Sequence, residues 1–180
     1  MPSLLVLTGP PGTGKTTLAA RLAAASPRGL HLPSDVFYTF PAHPLSPYRP
    51  ESKAQNSDIV TALAHTAGVF ASRGWDVVLD GIFGPWFLSL VVAEIGPFGV
   101  AVEYLVLRVP VDVALERVRG RSGYGQDHVV EQMHAQFADL GPYERHALDA
   151  RDCSPDALAA EVARRRAAGA LLLDVAHPGA

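Results

Sequence analysis

Short apolar runs alternate along the chain with longer stretches that carry apolar residues at helical spacing. Leu4-Leu5-Val6-Leu7 has no polar break and reads as a strand buried on both faces, over about residues 3–8. The stretch from Thr17 to Ala24, mostly Ala and Leu, predicts a helix over about 15–25. Gly29 to Leu32 is a short second strand. Residues 53–73 form a long helical pattern that stops at Gly74. Asp76 to Leu79 is a third strand and Val102 to Val109 a fourth. A helix follows from Val111 to about Val118, and another over about 128–137. A short strand is expected near Arg145 to Leu148, a helix starting at Pro155, and a small extra strand at 171–174. Strands that alternate with helices predict βαβ units and a parallel sheet, an α/β fold. The chain shows neither an internal repeat nor a linker, so one domain over residues 1–180 is expected.

Two stretches break the rhythm. After the second strand comes a proline-rich segment with Pro33, Pro41, Pro44, Pro47 and Pro50. Connections of that length are usually functional or mobile. The second is RGRSGYGQD, residues 119–127, where glycines and arginines occur together.

Composition narrows the class. Of the residues, 48% are hydrophobic and 18% charged, as in a globular chain. The formal net charge of −3 gives no electrostatic footprint for nucleic acid. Cys153 is the single cysteine, which excludes an internal disulfide and suits a reduced, cytoplasmic setting. The first apolar run is too short for a signal peptide and lacks a basic leader. Residues 82–109 are apolar but broken by Pro85, Glu94, Gly96, Pro97 and Glu103, so they do not read as a membrane span.

The most specific chemistry lies between the first strand and the first helix. GPPGTGKTT, residues 9–17, fits G-x-x-x-x-G-K-[ST] with strand and helix on the required sides. Gly9, Pro10, Pro11, Gly12, Thr13 and Gly14 let the backbone wrap an anion, and the helix that starts at Lys15 presents free N–H groups and the positive end of its dipole. Lys15 would reach the β and γ phosphates of ATP. Thr16 would offer its hydroxyl to magnesium (Mg2+), and Thr17 completes the loop.

In parallel sheets, ligands sit beyond the carboxyl ends of the strands. Asp35 follows the second strand in HLPSDVF, and Asp80 ends the third in VVLDG. Asp35 is placed to take the proton of an attacking hydroxyl, or is merely a turn or helix-capping residue. Asp80 is placed to hold magnesium directly or through water, or simply makes an Asp-Gly turn. Arg117 and Arg121 stand at i and i+4 and suit phosphate charge, whereas Arg119 faces elsewhere. The segment around 119–127 reads as a mobile lid, or as a solvated helix end. Tyr38, Arg49 and Asn56 are candidates for holding an acceptor within the loop and helix of residues 33–73. Gly84-Pro85-Trp86-Phe87 forms either a wall of that site or core. His65, His128 and His134 lack metal-ligand spacing and read as structural.

On GPPGTGKTT, the SD of PSDVF, VVLDG and ERVRGRSGYGQDHVVEQMHAQFADL, nearly the whole chain resembles the small P-loop kinases, an AAA_33-like group that includes gluconate and shikimate kinases, chloramphenicol phosphotransferase and the kinase part of polynucleotide kinase. The resemblance implies a three-layer α/β/α P-loop NTPase fold with a five-stranded parallel sheet in the order 2-3-1-4-5. It implies ATP with magnesium and a small-molecule hydroxyl acceptor, with Asp35 as base or anchor and Arg117 and Arg121 as lid arginines. Thr16 would share the metal with Asp80 or Asp35. Two departures matter. PSD replaces the DGD-type sequence of gluconate kinases, and DGIFG replaces the glycine triplet of shikimate kinases, so neither substrate carries over. A polynucleotide 5′-hydroxyl kinase and a nucleotide-binding regulatory or toxin-like protein remain as alternatives. The expected partner is the small acceptor, with no nucleic acid and no membrane, in a monomer or homodimer.

Overall fold

The computed structural model describes residues 3–120 and 127–173. Strands β1 (Ser3–Thr8), β2 (Gly29–Pro33), β3 (Asp76–Asp80), β4 (Ala101–Arg108) and β5 (Ala147–Asp149) form one sheet in the order β2-β3-β1-β4-β5. Every adjacent pair is parallel. The order is the one the resemblance implies. The helices are α1 (Lys15–Ala24), α2 (Ser34–Phe37), α3 (Lys53–Ser72), α4 (Pro85–Ile95), α5 (Val111–Arg119), α6 (Asp127–Gln136) and α7 (Pro155–Ala167).

The unbroken apolar run of β1 explains its central place. Side chains alternate across a strand. Leu4 and Val6 therefore meet α3 and α4 through Leu63, Ala67 and Val91, while Leu5 and Leu7 meet α1, α5 and α7 through Leu18, Ala114 and Val162. The result is two apolar layers, one on each face of the sheet. Among the described residues no helix is long and apolar enough to cross a membrane.

The structure adds α4 to the expected elements. Its region reads in the sequence as an interrupted apolar stretch. Pro85 occupies the first turn, where a missing N–H costs nothing. The strand expected over Arg145–Leu148 begins later, at Ala147, after a 3-10 turn over Gly141–His146. Leu172 forms an antiparallel bridge with Glu103, so the described part of the strand expected at 171–174, residues 171–173, contributes a bridge beside β4. There the Tyr104 N–H donates to the Leu171 carbonyl at 2.8 Å and the Leu173 N–H to the Val102 carbonyl at 2.9 Å.

Beneath the sheet, Arg166 of α7 donates to Glu103 at 2.7 Å, to Asp76 at 2.9 Å and to the Ser3 hydroxyl at 2.6 Å. One guanidinium thereby ties α7 to β1, β3 and β4 at the end of the sheet opposite the glycine loop.

Candidate active site

The loop between β1 and α1 is shaped by glycines. Gly9 has φ 140°, and a Cβ there would lie 2.2 Å from the Leu107 carbonyl oxygen. Gly12 has φ 81°, and a Cβ there would lie 2.6 Å from the Ala114 carbonyl oxygen. Both contacts are with backbone, so the loop packs against β4 and α5 at a distance that only glycine permits. Gly14 precedes α1 and offers no side chain to cap it. The first N–H groups of α1 are thereby left for an anion. Lys15 extends from that turn and donates to the Pro10 carbonyl at 2.9 Å, and the Thr13 hydroxyl donates to the same oxygen at 3.0 Å. Thr16 and Thr17 are exposed on the first turn of α1.

The carboxyl ends of three strands converge beside this loop. Asp80 is level with Leu7 on one side and with Pro33 on the other. Its carboxylate is buried, and its Oδ2 meets His31 Nε2 of β2 at 3.1 Å. His31 is not singled out by any motif; its relation to Asp80 arises from the pairing of β2 with β3. Thr16 and Asp80 are the residues of the glycine loop and of β3 that could hold a metal. Asp35 lies in the first turn of α2, exposed, one residue after the buried Ser34.

Asp35, Tyr38 and Asn56 line a common cleft of about 670 Å³. Its other walls include Phe83 and Trp86 from the segment after β3, and Gln132 and Gln136 of α6. Phe83 is fixed from both sides. Its N–H donates to the Thr8 hydroxyl at 2.8 Å, and its carbonyl accepts from the Tyr104 hydroxyl at 2.9 Å. The wall is thereby tied to the end of β1, where the glycine loop begins. Asn56 donates from Nδ2 to the Pro47 carbonyl at 2.8 Å and to the Ser52 hydroxyl at 3.1 Å, which holds the proline-rich segment against α3. Burial and, secondarily, the charge of Asp35 push the Tyr38 hydroxyl up to about 12, so it stays protonated at neutral pH. Arg49 is exposed and does not line the cleft; its backbone instead leads into the 3-10 turn at Pro50–Ser52.

Arg117 crosses to the glycine loop, where Nη1 donates to the Gly12 carbonyl at 3.4 Å, and Nη2 donates to the Arg151 carbonyl at 3.4 Å. Arg119 turns away and bonds Asp127 at 2.5 Å. Arg121, with most of the expected lid, lies outside the described residues. His134 donates through Nε2 to the Pro11 carbonyl at 3.1 Å. Burial first, and the charge of Lys15 as well, lower its pKa against the opposing effect of that hydrogen bond. His134 therefore braces the loop from α6, a role its lack of metal spacing does not reveal. His65 pairs with Glu94 at 2.6 Å on the exposed side of α3. Trp86 and Phe87 line the cleft, and Trp86 meets Phe137 edge-on at 5.3 Å, so this end of the Gly84–Phe87 segment is a wall of the cleft.

Comparison with known proteins bears on the family and the fold. The family model AAA_33, described as an AAA domain, matches residues 4–140. No curated protein matches the sequence. Among solved structures, an unliganded sugar kinase from Janibacter sp. HTCC2649 is similar at TM-score 0.69 and 18% identity, covering 91% of this chain and 94% of that one. The Mycobacterium tuberculosis APS kinase CysC, in complex with AMPPNP and APS, is similar at TM-score 0.68 and 18% identity, covering 90% and 95%. A chain of the Pnkp1/Rnl/Hen1 RNA repair complex is similar at TM-score 0.61 and 20% identity, over 75% of this chain and 43% of that one. With its matched family model, its sheet order and its glycine loop, the chain belongs to the AAA_33 (AAA domain) family and has the fold of the small P-loop kinases.

Proposed function

We propose that the protein transfers the γ-phosphate of ATP to a hydroxyl of a small molecule held in the cleft. The observation that carries this reading is the shared construction of loop and cleft. Gln132 and Gln136 of α6 line the cleft while His134 of the same helix bonds the loop at Pro11, and Phe83 of the cleft wall is bonded to Thr8 at the loop's start. An acceptor and a loop-bound nucleotide would therefore be neighbours.

The residues would divide the work as follows. The loop N–H groups and Lys15 hold and neutralise the β and γ phosphates. Arg117, already against the loop, adds charge as the transition state develops, joined by Arg121. Asp35 orients the acceptor hydroxyl and takes its proton. The acceptor oxygen forms a bond to the γ-phosphorus as the bond from that phosphorus to the β–γ bridging oxygen breaks, and ADP leaves. Thr16 and the buried Asp80 suit a hard cation with oxygen ligands, and His31 orients Asp80 through one oxygen while leaving Oδ1 for the ion or its water. A magnesium ion held by Thr16 and Asp80 would offset phosphate charge.

The test is an ATP-consumption screen with magnesium against pooled hydroxylated compounds and a 5′-hydroxyl oligonucleotide, with Asp35→Asn as control. Acceptor-dependent turnover by a small compound, lost in the variant, is the expected result. Turnover only with the oligonucleotide would shift the reading to a polynucleotide 5′-kinase, which the RNA repair likeness keeps in view. ATP binding with no turnover in any pool would favour a regulatory role.

A further inference from the structure

The cleft's lining is informative about charge. Among the described residues it contains no lysine, arginine or histidine, and its single carboxylate is Asp35. Arg49, the nearest cation in sequence to the lining residue Tyr48, does not line it. Lys15 and Arg117 bond the glycine loop and do not line the cleft, so among the described lining residues an anionic group would meet a like charge with no cation to offset its desolvation, a costly arrangement. Tyr38 keeps its proton at neutral pH and so adds no second negative charge, only a hydroxyl.

What the cleft does offer is aromatic surface and amides. Trp86 is 45% exposed and Tyr48 39% exposed, and both line the cleft. Trp86 is held at a fixed tilt by Phe137, and Gly84 makes room for its ring, since a Cβ there would lie 2.2 Å from it. From α6, Val129, Gln132, Met133 and Gln136 line the cleft at i, i+3, i+4 and i+7, one face of that helix. This face alternates apolar contact with amide hydrogen-bonding groups. Asn56 adds a buried Oδ1 without a hydrogen-bond partner among the described residues, and the Pro47 carbonyl beside Nδ2 fixes which way the amide is turned. Such an acceptor is satisfied by an O–H or N–H donor. The volume of about 670 Å³ is that of a pocket for a drug-sized ligand.

We infer that the acceptor is a hydroxylated compound of drug-like size that carries no carboxylate, phosphate or sulfate, with a flat apolar body against Trp86 and hydrogen-bonding groups that face Gln132, Gln136 and Asn56. This rests on the cleft being the acceptor site of a kinase, as proposed above. It sets sugar acids, nucleotides and polynucleotide ends apart from the preferred class.

Binding separates the two claims, because it does not require transfer. The protein is saturated with AMPPNP and magnesium and titrated calorimetrically with matched pairs that differ by one anionic group: aryl glucosides against aryl glucuronides, and aromatic nucleosides against their monophosphates. The expected result is that uncharged members bind at least about tenfold more tightly than their anionic partners. In Gln132→Lys, which places a cation in the lining at an exposed helical position, the gap should close or reverse. Tighter binding of the anionic members by the unaltered protein overturns the inference, as does the absence of binding by every uncharged member at millimolar concentration. Selective binding of uncharged members without phosphoryl transfer upholds the inference about charge and removes the kinase reading alone.

Discussion

Lys15 shows how far a single residue can be assigned. It emerges from a half-buried turn and bonds a carbonyl of its own loop, so its replacement removes a charge from the proposed phosphate site without opening a cavity in the core. Lys15→Met is expected to lower the rate of phosphoryl transfer by on the order of a hundredfold or more, the usual effect of removing one electrostatic stabiliser. The melting temperature should move by only a few degrees. Steady-state kinetics beside a thermal melt would check this, and a large loss of stability with an unchanged rate in the surviving fold would count against the role. The loop was legible in the sequence because every constraint on it is local: glycines, a lysine and a helix start within nine consecutive residues. His31 was not legible. It meets Asp80 only because β2 lies beside β3, and sequence reasoning at the level of one strand carries no such pairing. Arg49 shows the converse, a residue of suitable chemistry in the right segment whose side chain lies outside the cleft lining.

At the scale of elements, the site depends on the segment after β3. Thr8 and Tyr104 hold Phe83 by its N–H and its carbonyl, both buried. Thr8→Val keeps the side chain's shape and removes the acceptor, leaving a buried N–H unpaired. A cost of roughly 1–3 kcal/mol is expected in denaturant unfolding. In kinetics, the change should raise the KM for the acceptor more than that for ATP, because Phe83 belongs to the cleft wall. An effect on ATP alone would show that this bond serves the loop and not the wall. Strand and helix positions were mostly legible from apolar period. The exception, α4, was obscured because it is apolar on nearly all sides, so neither helical nor strand periodicity stands out; Gly84-Pro85 was the available start signal. The proline-rich segment stands out in the sequence by its length, but its attachment to α3 through Asn56 and Ser52 is a tertiary fact.

At the scale of the whole molecule, stability should carry a pH signature distinct from catalysis. His146 is fully buried, donates from Nδ1 to the Tyr104 carbonyl at 3.1 Å and accepts from Arg145 at 3.1 Å. Burial first, then the charge of Arg145, push its pKa down to about 4 from the ordinary 6.5. Between these values the unfolded chain binds the proton and the native one does not. Stability is therefore fully present above about 6.5 and declines as pH falls towards 4, by roughly 3 kcal/mol from this group. Unfolding titrations of the protein and of His146→Gln across that window should differ in slope, with the variant flatter. Equal slopes would show that His146 is not the group responsible. Glu161, held down at about 2 by hydrogen bonds from Arg164 and Arg165, acts only below the ordinary carboxyl value of 4.5, and His134, also lowered from 6.5 by burial, is the same in both proteins, so the difference between the two titrations reports His146.

In the proposed function, the glycine loop and the cleft are two halves of one phosphoryl-transfer site. Its most direct test follows the γ-phosphate itself. ATP labelled at that position is incubated with magnesium, the protein and the acceptor class that binds the cleft, and the label is sought on the acceptor by mass and by radioactivity. One labelled phosphoryl group is expected on an acceptor hydroxyl, with transfer reduced on the order of a hundredfold or more in Lys15→Met and at least about a hundredfold in Asp35→Asn, in line with loss of an electrostatic stabiliser and of a general base. Label found only in inorganic phosphate, or transfer that Asp35→Asn leaves at the full rate, would contradict the proposed function.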